Sequence, residues 1–312
     1  MTEEQHEPVV AVLAIAPILE VTVEATINAP DKPQMHVHPG GQGLWVARMV
    51  TTLGGRAVVC GPFGGETGTA AASLARAEGL ELHTTSATGN GGHIVDYRRG
   101  ERDEIVVMES PTLDRHAQDD LYGTMLVYSS AADVCVVTGA DTALGVPPDF
   151  FGRLATDLRA SGKRLVADLS SHQARAFVEA GGAVLKISHE EMIDGGFADG
   201  ASVEELRVGA ERLLEHGLDA VAISRAADPT LVVTGDGAHL VTAPQVSTHE
   251  HRGAGDSMTA GIAVGLGRGE SMVDAVRLGA AAGALNVTRR GLGTGRREQI
   301  ELFAEKVDVT PA

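Results

Sequence analysis

Residues 249–266, HEHRGAGDSMTAGIAVGL, bring an arginine, two glycines and an aspartate to the mouth of a run of small, apolar residues with helical character. A helix N-terminus presents unpaired backbone N–H groups and the positive end of the dipole, which suits an anion. Gly253 and Gly255 put no Cβ between such an anion and the backbone, and a phosphate is the natural guest. The stretch lacks the Gly-Lys-Ser/Thr of a Walker A loop. It also does not follow an early strand, as a dinucleotide fingerprint would. Two roles fit Asp256 on these residues alone. It caps the helix, worth about 1 kcal/mol, or it takes a proton from an attacking hydroxyl, worth about 10²–10⁴ in rate.

Other side chains invite the same weighing. His36-x-His38 and His249-x-His251 each place two imidazoles on one strand face, a spacing that can chelate a metal. Neither pair has a third ligand at convincing spacing, so solvent-facing histidines are expected. His189 stands beside Glu190 and Glu191 without an obligatory role. Cys60 and Cys135 lie in apolar runs and read as buried reduced thiols.

The elements that must position these residues follow from composition and pattern. The 312-residue chain is 43% hydrophobic and 21% charged, enough for a sizeable core, with aromatics only 3%, so Ala, Val, Leu and Ile must fill it. A formal charge of −17 repels nucleic acid and anionic membranes, leaving small molecules as the expected partners. The opening MTEEQHEP is acidic where a signal peptide is basic, and the apolar run that follows stops at Glu20, too short to span a bilayer. A cytoplasmic protein is expected.

VVAVLAI (9–15) has the continuous apolarity of a strand buried on both faces, and ILEVTVEA (18–25) reads as a more exposed one. Pro30 and Pro33 are expected to break the segment before MHVH. A helix over 42–53 stops at Gly54-Gly55. Strands and helices then alternate, through VCVV, RLVADLS, AVLKIS and DAVAIS, to a hairpin in TLVVTGDGAHLVT with Asp-Gly at its turn and two Ala/Gly-rich helices over 256–268 and 271–289. This alternation predicts one α/β domain over 1–312, a doubly wound, mostly parallel sheet with helices on both faces. Segments 18–38 and 92–108 are strand-rich and lack a crossover helix, so they are expected to pair as a small β-sheet lid.

GAGDSMTAGIAVGL resembles the second signature of the ribokinase-like, phosphofructokinase-B type carbohydrate kinases, and HPGGQGLWVARMVTTLGGRAVVCGPFGGETG (38–68) resembles the first. APILEVT, DLS (168–170), KISHEE (186–191), ISRAADPTLVVTGDG and RLGAAAGALNVTRRGLGTG fall in the family's order, so the resemblance spans nearly the whole chain. It is nearest the 1-phosphofructokinase and tagatose-6-phosphate kinase branch. The resemblance implies transfer of the ATP γ-phosphoryl group to a sugar hydroxyl. Asp256 would be the base, and Gly253, Ala254 and Gly255 the anion hole. Ser188, Ser224, Arg225, Ala226, Gly255 and Asn286 fall on the ATP side. Mg²⁺ would bridge the phosphates, held indirectly by Glu191 in the position of the family's Asn-x-x-Glu, whose Asn is Ser188 here.

Departures gather on the acceptor side, where the resemblance places Glu20, Gly40, Gly41, Gln42, Trp45, His93 and Arg252. The family's Gly-Gly-Lys-Gly-x-Asn is Gly40-Gly41-Gln42-Gly43-Leu44-Trp45, its substrate Asp is Glu20, and its lid Arg-x-Asn is His93-x-Val95. Trp45 either packs on Met49 one turn on or walls a sugar ring or base. Arg252 and Arg225 either clamp a phosphate or are solvated surface arginines. Ala226 and Pro229 replace glycines of the nucleotide loop. The implied acceptor is a sugar, sugar phosphate or polyol other than the usual fructose phosphates. The alternatives are a nucleoside kinase and a non-catalytic descendant that binds nucleotide or sugar. A homodimer through the lid is the expected assembly.

Overall fold

The computed structural model describes residues 6–26, 29–289 and 291–312. The acidic MTEEQ, residues 27 and 28 of the first lid segment, and Arg290 of the tail motif lie outside the described residues. The strands are β1 (Val9–Leu13), β2 (Ile18–Thr26), β3 (Ala29–Gly40), β4 (Arg56–Phe63), β5 (Glu81–Ser86), β6 (Gly91–Asp96) and β7 (Asp103–Met108). They continue as β8 (Val134–Thr138), β9 (Arg164–Asp168), β10 (Val184–Ser188), β11 (Ala220–Arg225), β12 (Asp228–Thr234), β13 (Gly237–Thr242) and β14 (Asp308–Pro311). The helices are α1 (Gln42–Thr52), α2 (Gly65–Ala77), α3 (Arg115–Tyr128), α4 (Pro148–Ala160), α5 (Ser171–Ala180), α6 (His189–Asp194), α7 (Val203–Glu215), α8 (Ala254–Gly267), α9 (Met272–Asn286) and α10 (Arg297–Ala304).

Ten strands form one sheet in the order β14-β13-β12-β11-β10-β9-β8-β1-β4-β5, parallel from β11 to β5 and antiparallel beyond. The continuous apolarity of β1 is explained by its central place, with Val10 to Leu13 all buried between β4 and β8. Its alternate residues serve two cores. Ala11 and Leu13 pack with Phe150, Phe151 and Phe177 of α4 and α5, while Val10 and Val12 pack with Leu44 and Val50 of α1 and Ile262 of α8. Helices therefore cover both faces. The Ala/Gly richness of α8 and α9 has a steric cause: a Cβ on Gly261 would stand 2.5 Å from the Gly279 Cα, so the helices cross backbone to backbone.

The segments that lacked crossover helices form a separate four-stranded sheet, β3-β2-β6-β7. The expected break at Pro30 and Pro33 does not occur; β3 runs unbroken from Ala29 to Gly40. It is an edge strand, paired only with β2, and an edge tolerates residues without an N–H donor. Asn90 ties this lid to the main body, accepting from Gly64 N–H at 2.8 Å and donating to the carbonyls of Pro17 and Pro62 at 3.1 and 3.0 Å. In the β12–β13 hairpin Thr234 pairs Gly237, so the loop residues are Gly235 and Asp236, one position before the expected Asp-Gly. Among the described residues no helix is long and apolar enough to cross a membrane. Cys60 and Cys135 are buried free thiols, and burial pushes both up to about 12.

Candidate active site

The helix predicted at 256 begins two residues earlier. Gly253 is its N-cap in a left-handed conformation (φ 74°), and Ala254, Gly255 and Asp256 make its first turn. No side chain caps the turn, which leaves its first N–H groups directed at whatever sits above it. Asp256 is thus the third helical residue, not the N-cap. Its carboxyl is raised from the ordinary value to about 7, first by burial and then by the Asp168 carboxylate, against the opposing charges of Lys186 and Arg252.

Beneath the turn lies a buried network that sequence reasoning passed over. Lys186 Nζ donates to both Asp168 oxygens at 3.2 and 3.1 Å, and Thr259 Oγ1 donates to Asp168 Oδ2 at 2.7 Å. Lys186 and Asp168 are 6% and 5% exposed, and Thr259 is fully buried. Burial works against the Lys186 charge, but the carboxylates of Asp168, Asp256 and Glu191 outweigh it and hold its pKa above the usual lysine value. A Cβ on Gly255 would stand 2.7 Å from Lys186 Nζ, so glycine here lets a cation approach the helix mouth from below. The available signal was a lysine and an aspartate, in KISHEE and DLS, at the ends of strands too apolar to hold unpaired charge.

The residues on the ATP side separate into two groups. Ser188 and Ser224 are register partners at the ends of parallel β10 and β11. Ser188 and Glu191 form a capping box on α6, with Ser188 N–H donating to Glu191 Oε2 at 2.8 Å and Glu191 N–H to Ser188 Oγ at 3.1 Å. Arg225 curls onto its own hairpin, 3.4 Å from the Pro229 carbonyl and 3.8 Å from Asp228. Ala226 turns that hairpin at φ 54°, a conformation its Cβ disfavours. Asn286 is a structural tie: its Nδ2 donates to the Arg252 carbonyl at 2.9 Å, and its Oδ1 accepts from Gly293 N–H at 2.9 Å.

On the other side, Glu20 and Trp45 line a cavity of about 600 Å³ between lid and body, together with Thr22, Arg48, Tyr97 and Glu250. Gly41 (φ 100°) caps α1 where a Cβ would meet the Ala16 carbonyl at 2.4 Å; Gly40 is buried before it and Gln42 opens the helix. Arg252 lies between this cavity and Asp256. Its Nη1 is 3.4 Å from Glu20 Oε2, and its guanidinium carbon is 5.2 Å from the Trp45 ring centroid, so it is neither a solvated surface arginine nor unengaged. His93 is the register partner of Glu20, and burial lowers its pKa and that of His38. His36, His249 and His251 are exposed, as expected, and His38 is half-buried; His36, His38 and His249 also border the cavity. Among the described residues no three His, Cys, Asp or Glu side chains converge as a metal set.

Residues 13–299 match the family described as pfkB family carbohydrate kinase. The chain belongs to that family. This pfkB kinase is 27% identical over 309 residues to the ATP-dependent 6-phosphofructokinase isozyme 2 of Mycobacterium tuberculosis, covering 97% of this chain and 91% of that one. It is 26% identical over 275 residues to the 1-phosphofructokinase of Bacillus subtilis, covering 88% of each. In fold it resembles phosphofructokinase-2 from Escherichia coli in complex with potassium, with a TM-score of 0.84 at 23% identity over 96% of this chain and 99% of that one.

The helix mouth of this pfkB kinase fits an anionic group such as a phosphate. The cradle at Gly255 would be filled by a Cβ, a buried lysine sits beneath it, and Ser257 Oγ is buried without a partner one residue past Asp256. Glu191 supplies the hard carboxylate donor that Mg²⁺ takes alongside phosphate oxygens and water.

Proposed function

We propose that the protein transfers the γ-phosphoryl group of ATP to a hydroxyl of a sugar, sugar phosphate or polyol, with Asp256 as the base. The observation that carries this is the placement of a carboxyl raised to about 7 in the uncapped first turn of α8, above the buried Lys186. The acceptor oxygen forms a bond to the γ-phosphorus, the bond from that phosphorus to the ADP oxygen breaks, and the hydroxyl proton passes to Asp256. The N–H groups of Gly253, Ala254 and Gly255 would meet the charge that develops on the transferring group. Lys186 adds a fixed positive charge from below, and Ser188 and Ser224 border the nucleotide. Mg²⁺, held through water by Glu191, would neutralise phosphate charge when bound. Replacing Asp256 with Asn is expected to lower kcat by about 10²–10⁴ or more while ATP still binds. Turnover within tenfold of wild type would overturn the assignment.

The same reading takes the protein to be a cytoplasmic enzyme, where ATP is at hand, and a homodimer joined through the lid. The register places Val37, Val21, Ile94 and Val106 in one cross-strand row and His38, Glu20 and His93 in the next. Adjacent rows face opposite ways. The row that includes Glu20 faces the cavity; the apolar row faces outward, with Val37 and Val106 37% and 44% exposed. A second copy is the occupant that supports covering such a face.

A further inference from the structure

We infer that the acceptor carries no phosphate: the cavity is built for an uncharged polyhydroxy alcohol, not for a sugar phosphate. The inference rests on the kinase reading above and narrows its acceptor.

Among the described residues, each guanidinium around the cavity is already matched to a carboxylate of its own. Arg48 meets Glu78 twice, at 2.8 and 3.1 Å, and donates to the carbonyls of Leu292 and Pro39 at 2.6 and 2.9 Å. Arg252 is set on Glu20 and stacked over Trp45. Arg102, from the lid, is bonded to Glu104. At Arg48, which lines the cavity, and at Arg252 beside it, a phosphate ester would have to draw the cation away from its carboxylate. Glu20 is only 6% exposed, so taking Arg252 from it leaves a buried, uncompensated anion beside a dianion. Glu250 adds a further carboxylate to the wall, accepting from the Tyr97 hydroxyl at 2.7 Å and from Arg252 N–H at 3.2 Å.

Hydrogen-bonding capacity points the same way. Ionised carboxylates only accept, so the part of a ligand that meets Glu20 and Glu250 must bring donors, as sugar hydroxyls do and a phosphate group does not. Hydroxyls both donate and accept. The wall offers a partner of the same kind as a hydroxyl: Thr22, 6% exposed, lines the cavity with Oγ1 buried and unpartnered, able both to donate and to accept. Burial lowers the pKa of His38 and His93, which keeps these imidazoles from supplying the missing positive charge.

The test uses Trp45, the one tryptophan of the chain, which lines the cavity and reports its occupancy by fluorescence whether or not turnover follows. A ketohexose and its 1- and 6-phosphate esters are titrated with Mg²⁺ and a non-hydrolysable ATP analogue, and ADP release is assayed separately with ATP. The sugar is expected to bind at least about tenfold more tightly than either ester, the gap narrowing as salt screens the repulsion. Glu78→Gln, which releases Arg48, is expected to raise the ester's affinity relative to the sugar's by about tenfold. An ester that binds as tightly as the sugar, no binding by the sugar, or a ratio unmoved in Glu78→Gln would each overturn the inference. Sugar binding without ADP release would leave it standing and remove the kinase reading instead.

Discussion

At Asp256 the same burial that would ready the proposed base also strains the fold. A base acts unprotonated, so kcat/KM is expected to rise about tenfold per pH unit below pH 7 and to level off above it, where the carboxyl has lost its proton. A pH profile flat from about pH 5.5 to 8 would contradict the role. Stability runs the other way. The folded carboxyl, raised to about 7, holds its proton more tightly than in the unfolded chain, so its contribution falls as pH climbs from the ordinary aspartate value through about 7. Asp256→Asn should therefore raise Tm by about 2 °C or more near pH 8 and leave it unchanged near pH 4, read by calorimetry. One substitution thus separates the chemical role from a structural one: Asn caps a helix about as well as Asp, so at a residue that only capped, Tm would stay unchanged at both pH values.

Among the elements, the α8–α9 pair and the β11–β12 hairpin carry opposite expectations. The helix crossing has no room at Gly261, whose added Cβ would meet the backbone of Gly279 at 2.5 Å. Gly261→Ala is expected to destabilise by about 1–3 kcal/mol in denaturant unfolding, and because α8 positions Asp256 the surviving protein should lose activity as well. At Ala226 the backbone is already left-handed, at φ 54°. Ala226→Gly relieves that conformation and should stabilise by about 0.5–1 kcal/mol, despite glycine's greater entropy loss. The hairpin follows Ser224, which the proposed function sets beside the nucleotide, so a changed KM for ATP in this variant would tie the strained turn to binding.

Over the whole molecule, the lid divides two kinds of contact. Its inner row meets the acceptor cavity and its outer row is Val37, Val21, Ile94 and Val106. Introducing lysine at both Val37 and Val106 should convert a dimer to a monomer by sedimentation, with the charge buried nowhere within one chain. A wild-type protein that sediments as a monomer would remove the dimer.

What the sequence determined by itself was whatever local pattern dictates. Continuous apolarity marked β1, strand–helix alternation marked the parallel sheet, and Gly253-Ala254-Gly255-Asp256 marked the helix mouth, because each depends on residues within one turn or one strand. Where a rule depends on position in the assembled sheet, local reading failed: Pro30 and Pro33 break a central strand but not the edge strand β3. The tail elements α10 and β14 are short, eight and four residues, and β14 is held by its pairing with β13, distant in sequence. Only the tertiary structure decided which charges meet. Lys186 and Asp168 lie 18 positions apart and Arg252 and Glu20 lie 232 apart, and electrostatic matching follows distance in space, not order in the chain.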